Sequence, residues 1–149
     1  MAKRTLGRPA VLEYQDMDDN NLATFKLVCR DLSTETLLRK LDKNDLALFK
    51  TVNKAKDIET LKDSLLEQLV SARSKVQLNK QIKALKIQEN EVITKFEELG
   101  GVTSVVMLSE KMFDMVVIGG EKESAKEFIA EYDDFDNALN MIREDLAGN

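Results

Sequence analysis

With 149 residues, 43% of them hydrophobic and 33% charged, the chain has enough apolar material for one compact core and enough charge for long exposed helices. It holds no histidine, no tryptophan and a single cysteine, Cys29. That excludes Ser-His-Asp and Cys-His nucleophilic catalysis, histidine-based or structural zinc sites, and an internal disulfide. The net charge of −5 conceals two basic zones, residues 1–9 and 68–88, and an acidic zone from Glu121 onward.

Six glycines and one proline leave few breakers, so the expected fold is mainly α. Short helices would be followed by a long helix or helical hairpin, then one β-hairpin and a C-terminal amphipathic helix. No run of about 18 apolar residues exists to span a membrane. Cys29 reads as a small core residue, with a reducing compartment as its simplest setting.

Residues 1–18 read as a mobile leader, basic at Lys3, Arg4 and Arg8 and acidic at Asp16, Asp18 and Asp19. The basic part opens into no apolar stretch, so it is no secretory signal. Lys3-Arg4-Thr5-Leu6-Gly7-Arg8-Pro9 suits an arm laid in a DNA minor groove and equally a solvated leader. The run beginning at Asp16 starts like a calcium loop. Its sixth position is Asn21 rather than glycine and its twelfth is Leu27 rather than glutamate, so the ligand set does not close.

Residues 19–55 suggest two or three short helices. Asn20 or Asn21 would cap the first (Leu22, Phe25, Val28, Cys29, Leu32), and Ser33 or Thr34 the second (Leu37, Leu38, Leu41). Asp42 or Asn44 would open the third, through Leu46, Leu48, Phe49 and Val52. Such a set permits a helix-turn-helix or a plain helical cap.

Residues 56–100 carry two apolar stripes out of phase, bounded by Asp57 as N-cap and Gly100-Gly101 as stop. Ile58, Leu61, Leu65, Leu69, Ala72 and Val76 form one; Leu78, Ile82, Leu85, Val92, Phe96 and Leu99 form the other. At about 100° per residue the second is rotated by roughly 150° from the first. Either the chain folds back near residues 74–79, or one long helix meets different partners at its two ends. Both arrangements favour self-association.

Residues 101–120 change period. Val102–Leu108 and Met112–Ile118 are rich in β-formers around Ser109-Glu110-Lys111 and predict a β-hairpin. Residues 121–149 predict a single acidic helix with Ala125, Phe128, Tyr132, Phe135, Leu139, Ile142 and Leu146 at alternating spacings of three and four. Such a seam serves as core, oligomer contact or partner-binding face. Between the two segments, Val116–Ser124 has the strand–glycine–helix order of a phosphate site. Full Walker spacing is absent, and Glu121 and Glu123 put negative charge where phosphate would sit.

The cations Arg73, Lys75, Lys80, Lys83 and Lys86 form an array that no acid interrupts between Gln68 and Gln88. Phosphate contact needs no more than such an array. A solvated face, or a dock for the acidic C-terminal helix, are the other readings.

The basic Gly-Arg-Pro leader and the order of segments 20–55, 57–99, 102–118 and 121–146 resemble the small subunit of bacteriophage terminases. That resemblance implies a small helical DNA-binding region, a hairpin that builds a ring, a β-hairpin, and a C-terminal segment contacting the packaging motor. It also implies a cytoplasmic setting in a bacterial or phage-infected cell.

The expectation is therefore a non-enzymatic homo-oligomeric adaptor with no catalytic residue, metal or cofactor. Nucleic acid would be met by Lys3, Arg4, Arg8, Arg73, Lys75, Lys80, Lys83 and Lys86. A protein partner would be met by Phe128, Tyr132, Asp133, Asp134, Phe135, Asp136 and Leu139. The alternative is a protein-interaction module, such as a phage-encoded inhibitor or scaffold, acting through the acidic helix. A carboxylate enzyme using a divalent metal comes third.

Overall fold

The computed structural model describes residues 7–30 and 34–148. Mainly helical, it has six helices and one three-stranded antiparallel sheet among those residues. In chain order the elements are β1 (Arg8–Gln15), β2 (Asn21–Cys29), α1 (Thr34–Lys40), α2 (Lys43–Ser71) and α3 (Val76–Glu98). Then follow α4 (Gly101–Val116), β3 (Val117–Gly120), α5 (Lys122–Tyr132) and α6 (Phe135–Gly148). They group into two compact units, Met1–Lys40 with Val106–Asn149, and Leu41–Val105.

The first unit is a sheet covered by helices. β1 and β2 form a hairpin in which Ala10 faces Leu27 and Leu12 faces Phe25; β3 pairs with the far edge of β2. Because side chains alternate along a strand, Ala10, Leu12 and Tyr14 share one face with Phe25, Leu27 and Cys29. On that face Ala10, Leu12, Leu27 and Cys29 are buried, whereas Val11 and Val28 on the other are exposed. α5 and α6 pack on the sheet, contributing the buried Ala125, Ile129, Phe135, Ala138, Leu139, Ile142 and Leu146. Phe113 of α4 is fully buried and meets Phe135 edge-on, with ring centroids 5.3 Å apart. Each fully buried leucine, isoleucine or phenylalanine among them contributes roughly 1.5–3 kcal/mol.

The second unit is a helical hairpin. α2 has 29 residues and α3 has 23, so they run about 43 and 34 Å. Asp42 caps α2 by accepting from the Asp45 amide at 2.8 Å. The chain reverses at residues 72–75 without glycine or proline; Ala72 turns it by adopting extended angles. The phase jump falls at this fold-back, which turns Ile58, Ile82 and Val92 inward while Leu61 and Val76 stay exposed; the single long helix is not what forms. Buried positions here are few: Leu48, Thr51, Ile58, Ile82 and Val92.

Several expectations are corrected. Residues 8–15 are a strand rather than part of a mobile leader, and Pro9 is tolerated because β1 is an edge strand. Residues 21–29 are β2 rather than a helix: Ala23, Phe25, Leu27 and Cys29 alternate, and pairing with β1 overrides the helical spacing of Leu22, Phe25 and Cys29. The third short helix and the segment from Asp57 are one helix, α2, with Asp57 in its middle.

Residues 102–116 belong to α4 instead of a β-hairpin. Leu108, Met112, Phe113 and Val116 are buried at helical spacing, and only 117–120 are extended. Val, Thr and Met fill either structure, and burial on one helical face decides. Finally, the acidic C-terminal helix is two helices broken at residues 133–134. There Asp134 Oδ1 accepts from the Asn137 amide at 2.7 Å, as an N-cap does.

Candidate functional site

The cations predicted to meet nucleic acid fall into three groups. Lys3 and Arg4 lie outside the described residues. Arg8 opens β1 and its guanidinium donates to the Leu146 carbonyl at 2.9 Å, satisfying a backbone acceptor in the last turn of α6. That bond fastens strand to helix, so Arg8 is a structural anchor and no part of a free arm. Arg73, Lys75, Lys80, Lys83 and Lys86 are all exposed and lie together, on the turn of the helical hairpin and the first half of α3. Among the described residues none of these five takes part in an ion pair; the pair that joins the hairpin is Lys62–Glu89 at 2.9 Å.

The local electrostatics reinforce this cluster. The N-terminus of α3 has no side-chain cap and no acid in its first turn. Its amides therefore carry uncompensated positive partial charge beside Lys75 and Lys80. Cations at a helix N-terminus work against the helix itself, so folding alone gives no reason for their placement.

The residues predicted to meet a protein partner are divided by the structure. Phe135 and Leu139 are buried in the core of the first unit and are withdrawn as contact residues. The seam they belong to folds inward because the helix breaks at residues 133–134. Phe128 is half-buried and central to an aromatic cluster, 4.7 Å from Tyr14, 5.5 Å from Phe25 and 4.9 Å from Tyr132 between centroids. Tyr132 is 68% exposed. Asp133 Oδ2 accepts from the Tyr14 hydroxyl at 2.6 Å, and both its oxygens accept from Asn137 Nδ2 at 3.0 and 3.2 Å. Burial first, then this bond and the Asp133 and Asp134 charges, raise the Tyr14 pKa, so the phenol is held protonated. Asp136 is exposed.

Tyr14, Gln15 and Leu22 are not among the predicted contact residues, yet with Phe128 and Tyr132 they line an open pocket of about 570 Å3. A period-two reading of Leu12 and Tyr14 would have found the strand that brings Tyr14 there. Within the helical hairpin a second, shallower groove of about 380 Å3 runs along both helices, lined by Leu61, Ser64, Leu65, Gln68, Gln81, Ala84 and Leu85.

Other charged groups are committed to the fold. Asp16 Oδ1 accepts from the Asp18 and Asn20 amides, both at 2.9 Å, closing the turn between β1 and β2. The bonds from Asn20 hold its pKa below the usual carboxylate value. Glu121 accepts from the Lys26 amide at 2.8 Å and returns a backbone bond to the Lys26 carbonyl at 2.8 Å, so the turn after β3 is closed by an acid. Burial pushes the Asp114 carboxyl up, but bonds from Lys126 at 2.9 Å and Lys122 at 3.4 Å outweigh it and hold the pKa low.

Among the described residues no cluster of three or more His, Cys, Asp or Glu has the arrangement to hold a metal ion, and no helix is long and apolar enough to cross a membrane. No family model, curated protein or solved structure matches this chain.

Proposed function

We propose that this chain is a non-enzymatic, self-associating adaptor whose helical hairpin binds nucleic acid through its basic tip. The observation that carries the reading is the turn and first half of α3, where five exposed cations sit beside an uncapped helix N-terminus and no acid interrupts the sequence from Gln68 to Gln88. Phosphates need only an array of unpaired cations, and their binding is strongly salt-dependent because counterions are released. Self-association is supported by the scarcity of buried side chains in the hairpin and by the exposure of Leu61, Leu66, Val70, Val76, Ile87 and Ile93 along it. Two helices alone leave these side chains uncovered, so a second copy supplies the missing layer. Packaging of phage DNA, which the resemblance to terminase small subunits implies, now rests on this hairpin alone, since residues 102–116 are helical.

Binding of a mixed-sequence DNA duplex measured across a salt series tests the reading. The Lys80→Glu, Lys83→Glu, Lys86→Glu variant is expected to lose affinity and to flatten the salt dependence, by about 0.9 in log–log slope for each phosphate contact removed. Unchanged retention and slope in a folded variant would remove nucleic acid from the function.

A second reading, a module that engages a protein partner through an acidic surface, is favoured by the first unit. Segments Glu13–Leu22 and Glu127–Asn137 carry nine carboxylates and no lysine or arginine. An inhibitor or scaffold acting on a basic cleft would present such a surface.

A further inference from the structure

The pocket between the β1–β2 turn and the C-terminal end of α5 has unspent chemistry. Its walls are Tyr14, Phe128 and Tyr132 with Leu22 and Gln15, and its volume of about 570 Å3 lies in the range of side-chain and small-ligand sites. Tyr132 is 68% exposed and Leu22 62%, while Met17 in the adjoining turn is fully exposed. Three large apolar side chains therefore meet solvent around one opening.

The segments that continue from the pocket walls carry charge of a single sign. Asp16, Asp18 and Asp19 follow Gln15 in the turn, and Asp133 and Asp134 follow Tyr132 at the end of α5. The donors that Asp133 and Asp134 hold are neutral: the Tyr14 hydroxyl, the Asn137 side-chain amide and the Asn137 backbone. Their negative charge is oriented but not neutralised.

The bond from Tyr14 to Asp133 fixes the phenol ring, and its neighbour Phe128 lies 4.7 Å away, so the aromatic wall is pre-set. Aromatic faces attract cations through the ring quadrupole, and arginine stacks on them while its stem covers apolar surface. Carboxylates on both sides repel phosphate, which argues against nucleic acid at this place.

We infer that this pocket receives an arginine or lysine side chain from a basic amphipathic segment of a partner protein. The cation lies over Tyr132 and Phe128 between the two groups of aspartates, and apolar residues of the same segment cover Leu22 and Met17. The inference rests on the reading of the acidic surface as partner-binding and is independent of DNA binding at the hairpin tip.

The chain supplies its own reporter. It has no tryptophan and two tyrosines, Tyr14 and Tyr132, both in the pocket walls. Tyrosine emission of the full-length protein is titrated with the peptide acetyl-Gly-Arg-Leu-Lys-Arg-Leu-Gly-amide and with its counterpart carrying glutamate in place of each cation. The expected result is a saturable change with the basic peptide alone, weakened by salt. Tyr132→Ala, at an exposed position and read through Tyr14, should weaken binding about tenfold. Asp18→Asn with Asp19→Asn should weaken it at low salt and have less effect at high salt.

Equal affinity for wild type and Tyr132→Ala would overturn the pocket while leaving the acidic surface as a partner site. No saturable change, or equal binding of the acidic peptide, would overturn both. Circular dichroism of each variant confirms that the fold is intact.

Discussion

The thiol of Cys29 is fully buried on the inner face of β2, and burial, helped by the Asp145 charge, pushes its pKa from 9.0 up to about 11. Two outcomes follow for measurement. Native protein should react with a thiol-specific disulfide reagent at neutral pH only through opening of the sheet unit, far more slowly than unfolded chain, as absorbance kinetics would show. Stability should also decline as pH rises from about 9 to about 11, because the unfolded thiol ionises first and the folded state then holds the extra proton. Below 9 both states are protonated and this contribution is complete. A Cys29→Ala variant whose melting temperature falls just as much across that window would show that other groups cause the loss. Asp134 offers a simpler case. Its carboxylate caps α6, so Asp134→Ala should cost about 1 kcal/mol in a denaturant titration.

Among the elements, β3 is the shortest, and its placement depends on backbone as much as on side chains. Gly120 has φ of 75°, and a Cβ there would lie 2.4 Å from the Lys26 carbonyl oxygen. Gly120→Ala should therefore destabilise by roughly 1–3 kcal/mol, measurable by thermal melting. A smaller change would mean that β3 separates from β2 at little cost.

The helical character of 57–99 is legible because leucines and isoleucines recur at helical spacing over many turns. A single phase jump suits a fold-back and a long helix alike, and only packing of α2 on α3 separates them. Local spacing narrows the α2 cap to Asp42 or Asn44, of which Asp42 serves, and marks Cys29 as a core residue while misplacing it on a helix. β2 is not legible, because Leu22, Phe25, Val28 and Cys29 also satisfy helical spacing, and only pairing with β1, a contact between distant residues, separates the two. α4 fails in the opposite direction: its β-branched run suits a strand until burial of Leu108, Met112, Phe113 and Val116 selects a helix. The aromatic pocket stayed hidden for a related reason, since Tyr14 and Tyr132 are 118 positions apart and meet only through the sheet.

Across the two units, net negative charge and buried apolar side chains are both concentrated in Met1–Lys40 with Val106–Asn149. Leu41–Val105 carries a net +1 and the remaining residues −6, which makes up the overall −5. A protein so divided offers anions and cations different surfaces, and salt acts on both since exposed charges are screened beyond about 8 Å at physiological ionic strength. The apolar imbalance has a sharper consequence. The groove of about 380 Å3 along α2 and α3 has small residues, Ser64 and Ala84, among its lining leucines, which lets another helix approach closely. A second hairpin laid there converts two half-covered helices into a four-helix layer. Stability then includes an association term, so the melting temperature should rise with protein concentration and light scattering should find a discrete oligomer. Ala84→Gln places a longer side chain in that groove at an exposed position, where the isolated hairpin tolerates it. The variant should lower the scattering mass and abolish the concentration dependence while leaving helical content unchanged. A wild-type chain that scatters as a monomer at every concentration would remove self-association and leave the exposed leucines to a different partner.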